Sequence, residues 1–78
     1  MIASGNQIRA ARGALGWSQE DLASRAGIHA KAVQYWEHMS VVSQSQAQGR
    51  APTRMLAAFK SAGVEVTAEP RVGVFFDA

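Results

Sequence analysis

Residues 17–38, WSQEDLASRAGIHAKAVQYWEH, contain two amphipathic segments separated by a turn of about three residues. Ser18 and Asp21 have the spacing of a capping box, which starts a helix, and Gly27 follows the last apolar position, where helices commonly end. A second helix begins almost at once, at about residue 30. Because two short helices joined so closely must cross at a steep angle, this turn constrains the fold more than any other feature of the chain.

Two further helices are predicted, one on each side of this pair. The first covers residues 6–15, with Ser4 as its N-cap, and the last covers residues 52–62, with Pro52 in its first turn. Apolar side chains at helical spacing give both helices an inward face, made of Ile8, Ala11, Leu15, Met55, Leu56 and Phe59. The predicted fold class is therefore mainly α, with a four-helix domain over residues 1–63.

Residues 39–51 connect the third and fourth helices and have no stable hydrophobic period. The stretch is rich in Ser and Gln, which leaves two interpretations: a mobile loop, or an irregular extension of the third helix. The missing helical period favours the loop.

The C-terminal tail, residues 64–78, changes to the alternation of apolar and polar residues that is typical of strands. Its alternating segments flank a turn sequence at residues 68–71 and together predict a β-hairpin. The apolar residues of this tail are Val64, Val66, Val72, Val74, Phe75 and Phe76. An isolated hairpin is marginally stable in water, so we expect these residues to form a homodimer interface with the tail of a second copy. The alternative is a monomer whose hairpin folds back over the first and fourth helices.

The helix predicted over residues 30–38 has two nearly complementary sides. Ala32, Val33 and Trp36 fall on the inner side. The opposite side carries Ala30, Lys31, Gln34, Tyr35 and His38. An α-helix fits the major groove of DNA, and side chains on its outward face can contact base edges. With the steep turn before it, this pattern predicts a helix-turn-helix over residues 18–38.

The stretch from Ile8 to Glu37 resembles the XRE family, the Cro- and lambda-repressor-like helix-turn-helix regulators. The matching residues are Arg12, Leu15, Gly16, Ser18, Gln19, Leu22, Ala23, Ala26, Gly27, Ile28, Val33 and Glu37, with residues 49–52 before the fourth helix. The tail resembles that of compact members ending in a β segment. The chain departs from the family pattern at His29, which replaces a Ser or Thr, and at Met39, which replaces a Gly.

This resemblance implies a transcriptional regulator that binds double-stranded DNA with sequence specificity, and it implies an ion pair between Arg12 and Glu37. It also implies DNA contacts from Gln19, Ala30, Lys31 and Tyr35, with Gln34 beside them. We further expect DNA contacts from Ser18, His29, His38 and Arg50. A role as helix cap is the alternative for His29, and a position in solvent is the alternative for His38. For Arg25 the two interpretations are an ordinary solvated charge and a contact to DNA phosphate. With the dimer expected from the tail, the chain is most simply a homodimeric repressor on a palindromic operator.

A second function, from a different class, is an antitoxin-like or other protein-interaction subunit that binds a partner protein through the Val- and Phe-rich tail. Solubility distinguishes the two functions, because an obligate partner subunit is expected to be insoluble or unfolded by itself.

Composition argues against several other classes of protein. The 78 residues contain no Cys and two His, which excludes thiolate metal sites and leaves too few ligands for most zinc sites. No nucleophile–base pair or glycine-rich phosphate loop is present, so we expect no enzyme, cofactor or small-molecule ligand. The formal charge of +2 alone favours nucleic acid only weakly. Since the N-terminus is not typical of a signal peptide and no apolar run is long enough to cross a bilayer, we expect a cytoplasmic protein, nucleoid-associated when bound to DNA.

Overall fold

The computed structural model describes residues 2–67 and 73–76. These residues form five helices followed by two strands. The helices are α1 (Gly5–Leu15), α2 (Gln19–Ala26), α3 (Ala30–Glu37), α4 (Gln44–Ala47) and α5 (Arg50–Ser61), and the strands are β1 (Val64–Thr67) and β2 (Gly73–Phe76). The mainly α fold class is thus confirmed, and the described part of the chain has one short helix more than the four predicted.

The turn between α2 and α3 has the local structure that the sequence predicts. Ser18 and Asp21 form a reciprocal capping box: the Ser18 N–H donates to Asp21 Oδ2 at 2.9 Å, and the Asp21 N–H donates to Ser18 Oγ at 3.0 Å. Gly27 ends α2 in the left-handed conformation, with φ of 68°. Glycine adopts this conformation without strain because it has no Cβ atom. His29 is the N-cap of α3, so α3 begins almost immediately after α2 ends.

Of residues 39–51, residues 39–49 form a loop interrupted by one helical turn, and residues 50 and 51 already belong to α5. The turn is α4, where Ser43 Oγ accepts from the Gln46 N–H at 3.2 Å and the Gln46 side chain accepts from the Ser43 N–H at 2.9 Å. Val42 and Ala47 are buried and hold the segment against the core. The helix predicted over 52–62 begins earlier, at Arg50.

The core lies where α1, α2, α3 and α5 meet. Its largest fully buried side chains include Ile2, Ile8, Leu22, Val33, Met55 and Phe59. The predicted inward residues Leu15 and Leu56 are only partly buried, at the margin of the core. Helix α2 packs against both α3 and α5. The start of α5 lies beside the turn between α2 and α3, and the two line one surface cleft. In the described residues, no helix combines the length and the apolar character that crossing a membrane requires.

The two strands pair antiparallel, with Val64 opposite Phe76 and Val66 opposite Val74. They pack against α1 and α5 of the same chain. Val64 and Val66 are 2% and 3% exposed, and Val74 is partly buried against the same core. This arrangement corresponds to the fold-back alternative.

The homodimer interface expected at the tail remains a prediction. Two of its residues, Val64 and Val66, have side chains that are buried within their own chain. Val72 lies outside the described residues, as do the side chains of Phe75 and Phe76.

Candidate nucleic-acid interface

The outward face of α3 collects most of the predicted DNA-contacting side chains. Lys31, Gln34, Tyr35 and His38 are all exposed, and Tyr35 is 62% exposed. On the opposite side of the helix, Val33 and Glu37 are buried. The helix is therefore anchored by one side, and its other side is a polar ridge at the surface. Ala30, also predicted to contact DNA, is partly buried and packs against the core.

Two neighbouring aromatic rings stabilise the middle of this ridge. Tyr35 and Trp36 pack edge to face, with ring centroids 5.4 Å apart and an interplanar angle of 87°. Trp36 is partly buried against the core, as predicted for an inner-side residue. The rigid Trp36 ring thus supports the exposed Tyr35 ring from one side.

His29 and Arg50, 21 positions apart in the sequence, lie in the same surface cleft. Gly27, Ile28, Ala32 and Ala51 complete its lining. Arg50 and Ala51 are the first two residues of α5, whose N-cap is Gly49 and has no side-chain capping bond. The positive end of a helix, a guanidinium group and an imidazole therefore surround one cleft, a combination that suits a phosphate group.

Glu37 is the centre of a buried ion-pair network. The Arg12 Nε atom donates to Glu37 Oε2 at 2.8 Å, and Arg12 Nη2 donates to Oε1 at 3.2 Å. The predicted ion pair is therefore present, and it is bidentate. Arg12 Nη1 also donates to the Trp17 carbonyl oxygen at 3.0 Å, which ties the end of α1 to the start of α2.

Gln19 belongs to the same network, which the sequence did not indicate. Its Nε2 atom donates to Glu37 Oε1 at 3.0 Å, and its side chain is partly buried. The amide group predicted to contact DNA therefore already has one partner inside the protein. Ser18, the neighbouring residue, is exposed and uses its hydroxyl group to cap α2.

Residues 2–5, which we call the N-terminal clasp, hold the chain segment that follows α3. The Gly5 N–H donates to the Met39 carbonyl oxygen at 2.8 Å, and the Val42 N–H donates to the Ala3 carbonyl oxygen at 2.9 Å. Ile2 is 1% exposed and anchors the clasp in the core. These contacts fix the position of the C-terminal end of α3.

Gln7 connects the N-terminal clasp to the tail. Its Oε1 atom accepts from the Ala3 N–H at 2.6 Å, and its Nε2 atom donates to the Thr67 carbonyl oxygen at 2.8 Å. Sequence reasoning missed this residue, although Gln7 lies on the same side of α1 as the apolar Ile8 and Ala11. A polar residue on an apolar helix face was the available signal.

Arg25 is held by an aromatic ring. Its guanidinium carbon lies 4.5 Å from the centroid of the Trp17 ring, which in turn stacks on Phe59 at 6.0 Å.

The pKa of Asp21 is affected by two neighbours, Ser18 in the capping box and Arg25 one helical turn later. Hydrogen bonds from Ser18 lower the pKa of Asp21 below its usual 3.8, and the positive charge of Arg25 lowers it further.

Two short helices that pack together across a tight turn, the second with one exposed polar face, have the arrangement of a helix-turn-helix. The family model described as helix-turn-helix matches residues 8–48, more than half of the chain. The chain belongs to this family, the XRE-type helix-turn-helix regulators, and it is a DNA-binding protein of that class. A comparison with curated proteins found no match.

Proposed function

We propose that this chain is a transcriptional regulator that recognises a specific double-stranded DNA sequence through the outward face of α3. One observation carries the proposal: Lys31, Gln34, Tyr35 and His38 are exposed together on a helix whose opposite side is buried. This helix meets the cross-section requirement of the major groove, and its side chains include the hydrogen-bonding types that distinguish base pairs.

The side chains suggest a division of roles between bases and backbone. Lys31 can donate to O6 and N7 of guanine, and Gln34 can pair bidentately with adenine. Arg50 and His29, in the cleft at the start of α5, suit the phosphate backbone, and so does Ser18 at the start of α2. Gln19 retains its carbonyl group and one amide hydrogen for DNA while its other hydrogen binds Glu37.

We further propose that the chain acts as a homodimer on a palindromic operator. Two-fold symmetry would present two copies of α3 to successive major grooves about 34 Å apart. Because Val64 and Val66 are buried in their own chain, we assign the dimer contact to the outer edge of β2. Bound to a promoter in the cytoplasm, such a dimer represses most simply by blocking access of the polymerase.

Selection of bound duplexes from a random pool tests DNA recognition directly. We expect the wild-type chain to enrich one palindromic site. Lys31→Ala should relax the preference at one base pair per half-site, by about 1–3 kcal/mol. Lys60→Ala is the matched control, since Lys60 is equally a surface lysine but lies near the end of α5, away from α3.

Two outcomes would contradict these proposals. A pool without any enriched sequence argues against specific recognition. A Lys31→Ala variant that matches Lys60→Ala in every base preference contradicts the base contact proposed for Lys31, and with it the proposed orientation of the outward face of α3. The oligomeric state is measured separately, by sedimentation with and without the selected duplex, and a single chain per full site would exclude the dimer.

A further inference from the structure

Two histidines mark the ends of α3, and each binds a backbone group through its Nδ1 atom. At the start of the helix, His29 Nδ1 lies 3.1 Å from the backbone nitrogen of Lys31. At the end, His38 Nδ1 lies 2.7 Å from the carbonyl oxygen of Gln34. Both imidazole rings are otherwise exposed.

The two backbone partners require opposite protonation of the two rings. A backbone N–H only donates, so His29 Nδ1 must carry a lone pair, and the proton of the neutral ring is then on Nε2. A carbonyl oxygen only accepts, so His38 Nδ1 must carry the proton, and the neutral ring then has a lone pair on Nε2. Backbone hydrogen bonds thus select the tautomer of each histidine.

We propose that the outward Nε2 atoms act as a fixed donor at His29 and a fixed acceptor at His38, and that His38 thereby selects a base pair. This inference rests on the proposed DNA recognition by α3. In the major groove, the donors available to an acceptor are the N4 amino group of cytosine and the N6 amino group of adenine. His38 Nε2 therefore favours a base with an exocyclic amino group.

The same reasoning separates the two histidines in function. Phosphate oxygens carry no hydrogen at neutral pH, so the lone pair of a neutral His38 cannot bind them. His29 Nε2–H can bind them, and His29 shares its cleft with the cation Arg50. His29 is accordingly a contact to the DNA phosphate backbone. His38 lies one turn beyond Gln34 on the outward face of α3 and is a specificity-determining residue.

Long-range ¹⁵N NMR correlations on the free chain test the tautomers, at a pH where both rings are neutral. We expect the proton of His29 on Nε2 and that of His38 on Nδ1. The opposite assignment for His38, or rapid exchange between both of its tautomers, would overturn the inference without bearing on whether the chain binds DNA.

Asparagine and glutamine variants test the functions of the two ring nitrogens, Nδ1 and Nε2, separately. Asn places its polar atoms near the position of Nδ1, so His29→Asn keeps the cap on Lys31, and His38→Asn keeps the bond to Gln34 O. Each loses the outward Nε2 function. We expect His29→Asn to weaken binding to all duplexes alike, and His38→Asn to relax the preference at one base pair roughly ten-fold.

Comparison of selected sites gives the final test. His38→Gln presents an amide at the position of Nε2, and its carbonyl oxygen should restore the preference for an amino-bearing base that His38→Asn loses. Equal weakening of all duplexes by His38→Asn would show a phosphate contact and refute the assignment. A positively charged His38 ring in the complex would refute it as well, because Nε2 would then be a donor and not an acceptor. Failure of the wild-type chain to select any site would refute the proposed function itself, whatever the tautomers.

Discussion

Gly5 at the start of α1 lies directly against the carbonyl group of Glu37 at the end of α3. A Cβ atom at Gly5 would overlap this carbonyl group and would lie 2.6 Å from the Trp36 carbonyl oxygen. Since these neighbours are backbone atoms at the end of a helix, they cannot move aside as a flexible side chain does. The absence of a side chain at Gly5 therefore determines how closely α1 approaches α3. It thereby helps to fix the position of α3, the proposed DNA-contacting helix.

Gly5→Ala is expected to destabilise the protein by about 1–3 kcal/mol, because the added methyl group forces α1 away from α3. Gly13→Ala, in the same helix, is the matched control. Nothing lies within 4 Å of a Cβ atom at Gly13, so this change should stabilise α1 by about 0.5–1 kcal/mol. Urea unfolding of both variants measures the difference, and two variants of equal stability would refute the close contact.

Arg12→Met is expected to cost about 3–5 kcal/mol, because it leaves the Glu37 carboxylate buried with only one of its three hydrogen bonds, from Gln19. The Glu37 side chain is 3% exposed, so water cannot replace the lost donors. Arg9→Met removes the same charge from an exposed position on α1 and should change stability by less than about 0.5 kcal/mol. Equal free energies of unfolding for Arg12→Met and Arg9→Met would contradict a stabilising role of the network.

The ends of α1 and α2 were predictable because capping is local. Ser18 and Asp21 lie within four residues, and Gly27 ends α2 by its own backbone conformation. The turn of α4 carries an equally local signal, Ser43 followed by Gln46 at capping-box spacing, but it lies in a Ser- and Gln-rich stretch with no hydrophobic period to support a helix. A capping signal without an apolar helix face does not by itself predict a helix, so the sequence favours a loop here.

Long-range contacts explain what the sequence did not indicate. The outward face of α3 follows from helical periodicity alone, since Val33 must be buried and Lys31 and Gln34 then face outward. The packing of Gly5 on Glu37 and the bond from Gln19 to Glu37 join positions far apart in the chain. Alternation in the tail likewise predicted β1, but not whether α5 or a second copy would cover its apolar side.

The capping box of α2 should make stability depend on pH in the acid range. Hydrogen bonds from Ser18, and then the charge of Arg25, hold the pKa of Asp21 below its usual 3.8 in the folded chain. A carboxylate with a lowered folded pKa stabilises the fold above the unfolded pKa, and this contribution is lost as the pH falls through the folded value. Stability should therefore decrease as the pH is lowered below about 4.

Asp21→Asn isolates this contribution, since Asn still accepts a hydrogen bond from the Ser18 N–H but does not titrate. Its urea midpoint should change less with pH in the acid range than that of the wild type. Glu20→Gln, in the same helical turn, leaves the box intact and should retain the wild-type dependence. If the urea midpoint of Asp21→Asn changed with pH as much as that of the wild type, the capping box would make no contribution to the loss of stability in acid.

Arg25→Ala should affect stability rather than DNA binding. Its guanidinium group lies over Trp17 at 4.5 Å, so its loss removes a cation–π contact of about 0.5–1 kcal/mol. The slope of DNA affinity against salt should stay that of the wild type, whereas Arg50→Ala should flatten it by about one unit. A flattened slope for Arg25→Ala would instead identify Arg25 as a phosphate contact.

The buried tail predicts a matched pair of substitutions on opposite faces of β1. Val66 is 3% exposed and Glu65 is exposed, so Val66→Thr buries a hydroxyl group while Glu65→Thr leaves one in solvent. We expect Val66→Thr to cost about 1–3 kcal/mol and Glu65→Thr to change stability little. Because Val66 packs inside its own chain, the cost should be the same at low and high protein concentration, whereas a side chain buried between two copies would make it concentration-dependent. Unfolding measured over a wide range of concentrations therefore decides whether the tail side chains belong to the core of one chain or to a shared interface.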